Sequence, residues 1–156
     1  MKISDFLNKK AVTASLKAKD KNGVIAELVD LLIKGGAIKE KEKTAIIKTL
    51  MEREELGSTG IGQNIGIPHA KYKSVKELVA SFGLSREGVD FESLDGEPVY
   101  IFFLLVAPEE SAGPHLKALA RISRLLKDKY FRDMLKNAKD EKDLMNIIND
   151  EDQKRH

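Results

Sequence analysis

The chain has 156 residues, 42% hydrophobic and 33% charged, which is the balance of a single globular domain with a sizeable core rather than of a disordered segment. Its net charge of +2 is too small to argue for nucleic-acid binding, and the absence of cysteine excludes disulfides, thiolate chemistry and zinc–thiolate sites. The opening MKISDFLNKK lacks the apolar core of a secretion signal, and the longest apolar run, Val99 to Ala107, is too short to cross a bilayer, so a cytoplasmic protein without membrane insertion is expected.

Residues 3–8 read as a short helical turn with Ile3, Phe6 and Leu7 inward, and Ala11 to Leu16 as an edge strand. Asp20 is placed to cap a helix over 21–34, whose Ile25, Leu28, Val29 and Leu32 recur at helical spacing before Gly35-Gly36 stops it. A second helix is predicted over 40–55, with Ile46, Ile47, Leu50 and Met51 as its buried stripe and Arg53, Glu54 and Glu55 in its last turn. A polar stretch covers Lys71 to Lys76. Leu78 to Leu84 alternates as a strand, with Leu78, Ala80, Phe82 and Leu84 on one face. After an Asp-Gly turn at Asp95-Gly96, the continuous apolar run Val99 to Val106 belongs in the middle of a sheet covered on both sides. Pro114 suits the first position of a helix that turns Leu116, Leu119, Ile122, Leu126 and Tyr130 inward. A bend or break is expected between Lys127 and Tyr130, with Phe131, Met134 and Leu135 continuing the apolar face. Asp140 caps a last helix burying Leu144, Ile147 and Ile148, and residues 151–156, with His156 among them, read as a frayed tail. Helices before, between and after strands imply a single-domain α/β sandwich over 1–156, a mixed central sheet flanked by helices.

The chemistry concentrates in Gly57 to Ala70, GSTGIGQNIGIPHA. This segment is rich in glycine, which permits close backbone approach, and Pro68 pushes Ile67 toward extended geometry, so His69 is expected at a rigid, defined point. His115 follows Pro114 in the first turn of a helix, where unpaired N–H groups and the positive dipole end favour an anion and disfavour a charged imidazole. Arg53, in the turn before the glycine loop, has the planar fork that matches phosphate oxygens. Taken singly, an arginine in such a place most often serves a surface ion pair and a histidine in a first turn most often packs or caps. No Walker A lysine follows the glycines, no helix opens on them, and two histidines this far apart lack helical metal-site spacing.

The combination of Arg53-Glu54, then TGIGQNIGIPH at Thr59 to His69, then PHLKALARISRLL at Pro114 to Leu126 resembles the fructose/mannitol/nitrogen-regulatory type of enzyme IIA, the EIIA type-2 domain of the bacterial phosphoenolpyruvate-dependent sugar phosphotransferase system (PTS). The resemblance runs from the first turn to about residue 149. It implies an α/β sandwich in which His69 is phosphorylated on Nε2 by a phosphohistidine carrier, HPr or a nitrogen-branch paralogue, and passes the group to a cysteine of an enzyme IIB domain. It places Arg53 and His115 around that phosphate and requires no metal or other cofactor. Asn64 stands where many relatives have glycine, and asparagine tolerates the left-handed backbone needed there. A stand-alone domain, monomeric or weakly oligomeric, is expected. Two other functions remain open at this point: a nitrogen-regulatory protein whose phosphorylation state controls partners, and a non-catalytic ligand or metal-binding module on the same fold.

Overall fold

The computed structural model describes residues 1–154. Its centre is a six-stranded mixed sheet built on β6 (Val99–Ala107). On one side β6 pairs antiparallel with β5 (Val79–Val89), which pairs parallel with the edge strand β1 (Leu7–Thr13). On its other side β6 pairs parallel with two short strands in succession, β3 (Ile65–Gly66) and β4 (His69–Lys71). The remaining edge strand, β2 (Gly60–Gly62), pairs antiparallel with β3.

The apolar run of β6 explains its position. Ile101, Phe103 and Leu105 enter one core, beneath α3 (Ala112–Leu126), α4 (Lys129–Lys136) and α5 (Glu141–Lys154). Phe102, Leu104 and Val106 enter the other, beneath α1 (Lys21–Lys34) and α2 (Lys43–Glu55). A strand whose successive side chains point to opposite faces fills two cores at once only if every position is apolar. Asp20 caps α1 by accepting from the Gly23 amide at 2.7 Å, and Gly36 follows the helix at φ +79°. Asp128 separates α3 from α4 by accepting from the Tyr130 and Phe131 amides. The expected α/β sandwich with helices on both faces is the observed architecture.

Several local expectations are corrected. The opening turn is a 3-10 turn of Ile3–Asp5 only, and the edge strand begins at Leu7, four residues before Ala11. Its Asn8-Lys9-Lys10 run hid it, since lysines suit an edge whose outer side has no pairing partner. Residues 40–42 form a separate 3-10 turn before α2. Pro114 is the third residue of α3, which starts at Ala112. The buried stripe of α3 is His115, Ala118, Ile122, Leu125 and Leu126, whereas Leu116 is 66% exposed and, beyond the break, Tyr130 and Met134 also face outward. Counting His115 as polar shifted that stripe by one residue.

The tail is also corrected as far as Lys154. It completes α5 with Asp152 buried, accepting from Arg121 Nε at 3.0 Å and Nη2 at 2.7 Å and from the Ile3 amide at 2.7 Å. An acidic tail looks solvated when the cation that buries it sits on another helix. His156 lies outside the described residues.

Candidate functional site

His69 is the first residue of β4, opposite Leu105 of β6. The glycine-rich segment before it is a hairpin. Gln63 and Asn64 form its two-residue turn with φ of +58° and +68°, the geometry that matches strand twist in tight hairpins. Asn64 therefore takes the left-handed backbone foreseen for it. Gly60 fits under Ser93, where a Cβ would meet the Ser93 backbone at 3.0 Å. The hairpin's return strand ends at Gly66, Ile67-Pro68 follow it, and the Pro68 carbonyl accepts from the Leu105 amide at 3.0 Å, so the base of His69 is locked to the central strand.

The His69 ring is oriented by one bond, Nδ1 to the Ile67 carbonyl at 2.8 Å. A carbonyl only accepts, so Nδ1 carries the proton and Nε2 presents a lone pair. Burial depresses the His69 pKa first, with Arg53 adding to the effect, while the Ile67 bond and the Glu54 carboxylate oppose it. The net shift is downward, so the imidazole is neutral at neutral pH.

His115 meets this ring edge to face, with centroids 5.4 Å apart and planes at 81°. It is 4% exposed, and neither of its ring nitrogens has a hydrogen-bond partner. Buried nitrogens without a partner are uncommon, and His115 also lines the cleft that His69 lines. Burial, then repulsion from His69 when that ring is protonated and from Lys71, lower its pKa to about 4.

Arg53, His69, Lys71, Ala112, His115 and Leu116 line one cleft of about 440 Å³. The structure thus brings together the three residues singled out from sequence. Arg53 donates from Nη1 to the Gly57 carbonyl at 2.8 Å, so it braces the start of the hairpin while lining the cleft. The N-terminus of α3 reaches the same cleft at Ala112, and Ser111 does not cap it with its side chain. Two cationic side chains and an uncapped helix start favour an anion; the same charges oppose a metal cation.

Lys71 was not singled out, and Glu54 was quoted with Arg53 as part of a motif but given no role. Lys71 was legible in principle, since it lies two residues after His69 in a strand and so shares its face. Glu54 is buried, accepts from the Thr59 amide at 3.1 Å and from the Thr59 hydroxyl, and pairs with Lys21 Nζ at 3.2 Å. No local pattern marks a carboxylate in a helix's last turn as buried.

The His115 environment has a consequence for stability. Below the ordinary value of 6.5, the unfolded chain binds a proton that the folded chain refuses until the pH approaches 4. The stabilisation is complete above 6.5 and is lost as pH falls through this window. Urea unfolding between about pH 7 and about pH 4.5 should show wild type losing on the order of 2 kcal/mol more than His115→Gln. Parallel pH profiles for the two proteins would contradict this origin.

The family model for the phosphoenolpyruvate-dependent sugar phosphotransferase system, EIIA 2, matches residues 5–151. A fructose-specific EIIABC component of Bacillus subtilis is 40% identical over 152 residues; the match covers 97% of this chain and 24% of that protein's length. A nitrogen regulatory protein of Bradyrhizobium diazoefficiens is 34% identical over 148 residues, 95% of each chain. The crystal structure of nitrogen regulatory protein IIA-Ntr from Neisseria meningitidis matches with a TM-score of 0.84 at 29% identity, covering 94% of this chain and 98% of that one.

Proposed function

The chain belongs to the phosphoenolpyruvate-dependent sugar phosphotransferase system EIIA 2 family, and from that premise we propose that it is a cytoplasmic phosphoryl carrier with His69 as the residue that holds the group. The observation that supports this most is the His69 ring itself: Nδ1 is committed to the Ile67 carbonyl, which leaves the Nε2 lone pair in a cleft lined by Arg53, Lys71 and His115. None of the described helices is long and apolar enough to cross a membrane.

In the proposed reaction, Nε2 attacks the phosphorus of a phosphohistidine on HPr or an HPr-like carrier. The donor's P–N bond breaks and its electron pair returns to the donor imidazole. Nδ1–H stays on the Ile67 carbonyl throughout, which stabilises the positive ring that results. Phosphoryl transfer asks a protein for positioning and charge stabilisation more than for covalent chemistry. Arg53 and Lys71 supply charge, the start of α3 supplies backbone donors, and His115 donates one N–H to a phosphate oxygen. Onward transfer is the reverse displacement. A cysteine thiolate of an enzyme IIB domain attacks phosphorus, and the N–P pair returns to Nε2.

A nitrogen-regulatory role is the second reading. It is favoured by the match to a nitrogen regulatory protein over 95% of both lengths. The two readings share the acceptance step and differ in the fate of the phosphoryl group. Phosphorylated protein mixed with an isolated fructose-type IIB domain should lose its label to the IIB cysteine if the chain is a transport relay. Label that stays on His69 for many turnovers of a cognate IIA control would favour the regulatory role.

Arg53→Lys separates phosphate stabilisation from a surface ion pair. Lysine keeps the charge but loses the fork that holds Gly57 and faces the cleft. Rapid-quench transfer from phospho-carrier is expected to slow about tenfold, a loss of about 1.4 kcal/mol. A variant with unchanged melting temperature and near-native rate would assign Arg53 to the surface.

A further inference from the structure

One hydrogen-bonded path leads from the buried end of α2 to the reactive ring. The Glu54 carboxylate, 2% exposed, accepts from the Thr59 amide and the Thr59 hydroxyl. The Thr59 carbonyl accepts from the Ile67 amide at 3.0 Å. The Ile67 carbonyl accepts from His69 Nδ1 at 2.8 Å. Behind Glu54, Lys21 from the first turn of α1 closes the path, its Nζ 3.2 Å from the carboxylate and 4.9 Å from the Phe91 ring centroid.

Burying a carboxylate costs free energy that an apolar residue in the same place would not, so its retention has to be set against what it holds. Both its oxygens accept from Thr59, and one of them also pairs with Lys21. Two bonds to Thr59, one from the main chain and one from the side chain, fix that residue's orientation as well as its position. Its carbonyl is then aimed at the Ile67 amide. Pro68 confines Ile67 to extended backbone, so anchoring the Ile67 amide also aims the Ile67 carbonyl. That carbonyl decides which nitrogen of His69 carries the proton. The neighbouring residue, Arg53, holds Gly57 from the same helix turn, so the adjacent pair clamps both ends of Gly57-Ser58-Thr59. Glu54 also opposes the depression of the His69 pKa by burial and by Arg53.

We propose that Glu54 is a positioning residue for the His69 reaction: through Thr59 and Ile67 it holds His69 in the single tautomer, protonated at Nδ1, that leaves Nε2 free to accept a phosphoryl group. The tautomer part stands on geometry alone, and its link to transfer rests on His69 being the phosphoryl acceptor.

The test compares wild type, Glu54→Gln and Thr59→Ser in the full chain, with 15N-labelled histidine. Glutamine keeps the shape but replaces one acceptor oxygen with a donor and removes the charge. The imidazole 15N shifts of His69 in wild type should report one tautomer, protonated at Nδ1. Glu54→Gln should show a mixture of tautomers and an acceptance rate from phospho-HPr lower by about tenfold, as expected when a reacting group loses its aim. Thr59→Ser, which retains both bonds, should match wild type. Folded Glu54→Gln with the wild-type His69 tautomer overturns the proposal, whatever its rate. Should Glu54→Gln fail to fold, Thr59→Val, which removes the hydroxyl bond alone, should shift the tautomers in the same direction; unchanged shifts there overturn it equally. If wild type takes no phosphoryl group while the tautomer responds to Glu54, the positioning stands and the carrier function falls.

Discussion

His69→Ala is expected to abolish phosphoryl acceptance altogether. Nothing else in the cleft offers the same combination of a lone pair on a neutral ring and a fixed proton on the opposite nitrogen. His115 is the only other imidazole among the described residues, and it is 4% exposed and on a helix whose position is set by its own core contacts. A donor phosphohistidine has to approach in line, and His69, which lines the cleft, is partly exposed. Wild type incubated with phospho-HPr should gain a single phosphoryl group by intact mass, labile to acid and stable to base as a phosphoramidate is. His69→Ala should gain none while keeping its circular dichroism and melting temperature. The side chain removed is only partly buried, and its main packing partner is the His115 ring, so a large loss of stability is not expected. Label persisting in this variant would move the acceptor elsewhere.

Asp152→Ala is expected to produce the largest loss of stability among these substitutions. Asp152 joins three parts of the fold: its carboxylate accepts from Arg121 of α3, from the amide of Ile3 at the chain's start, and it sits on α5. Arg121 is 5% exposed, so removing the acid leaves a buried, uncompensated guanidinium. Breaking a buried pair from one side costs about 3–5 kcal/mol, which corresponds to a fall of roughly 10 °C or more in melting temperature for a chain of this size. Replacing both partners with apolar residues of similar volume, Arg121→Met with Asp152→Leu, should recover the part of the loss due to the unpaired charge, while the Ile3 amide still lacks its acceptor. A double-mutant cycle measured by urea unfolding gives the coupling directly. An Asp152→Ala protein within about 1 kcal/mol of wild type would mean that solvent reaches Arg121 and that the pair is an ordinary surface one.

The parts of this fold that were legible in sequence are those decided by neighbouring residues. Asp20 and the spacing of Ile25, Leu28, Val29 and Leu32 define α1 within a single stretch, and the two-sided apolar run defines β6. The glycine-rich loop and its histidine were legible for the same reason, since turn chemistry is local, whereas its pairing as a hairpin was not read. What was misread depends on residues distant in the chain. The face of α3 turns on whether His115 is core or surface, and its burial is settled by His69, which lies 46 positions earlier. The burial of Asp152 is settled by Arg121, and that of Glu54 by Lys21 and Thr59. Charged residues read as solvated until the partner that neutralises them is known. The site divides in the same way: Arg53, His69 and His115 were identified by residue type and motif, whereas their meeting in one cleft is a product of the sheet, which sets β4 along β6 and carries α3 back from the end of β6.

The measurement that bears most directly on His69 as the phosphoryl-bearing residue is 15N–31P correlated NMR of the 15N-histidine chain after phosphorylation by phospho-HPr. The expected result is one phosphorus signal, coupled to Nε2 of His69, with the Nδ1 proton retained against the Ile67 carbonyl. Phosphorus on Nδ1 of His69 or on either nitrogen of His115, or a chain that takes no phosphorus at all, would contradict it.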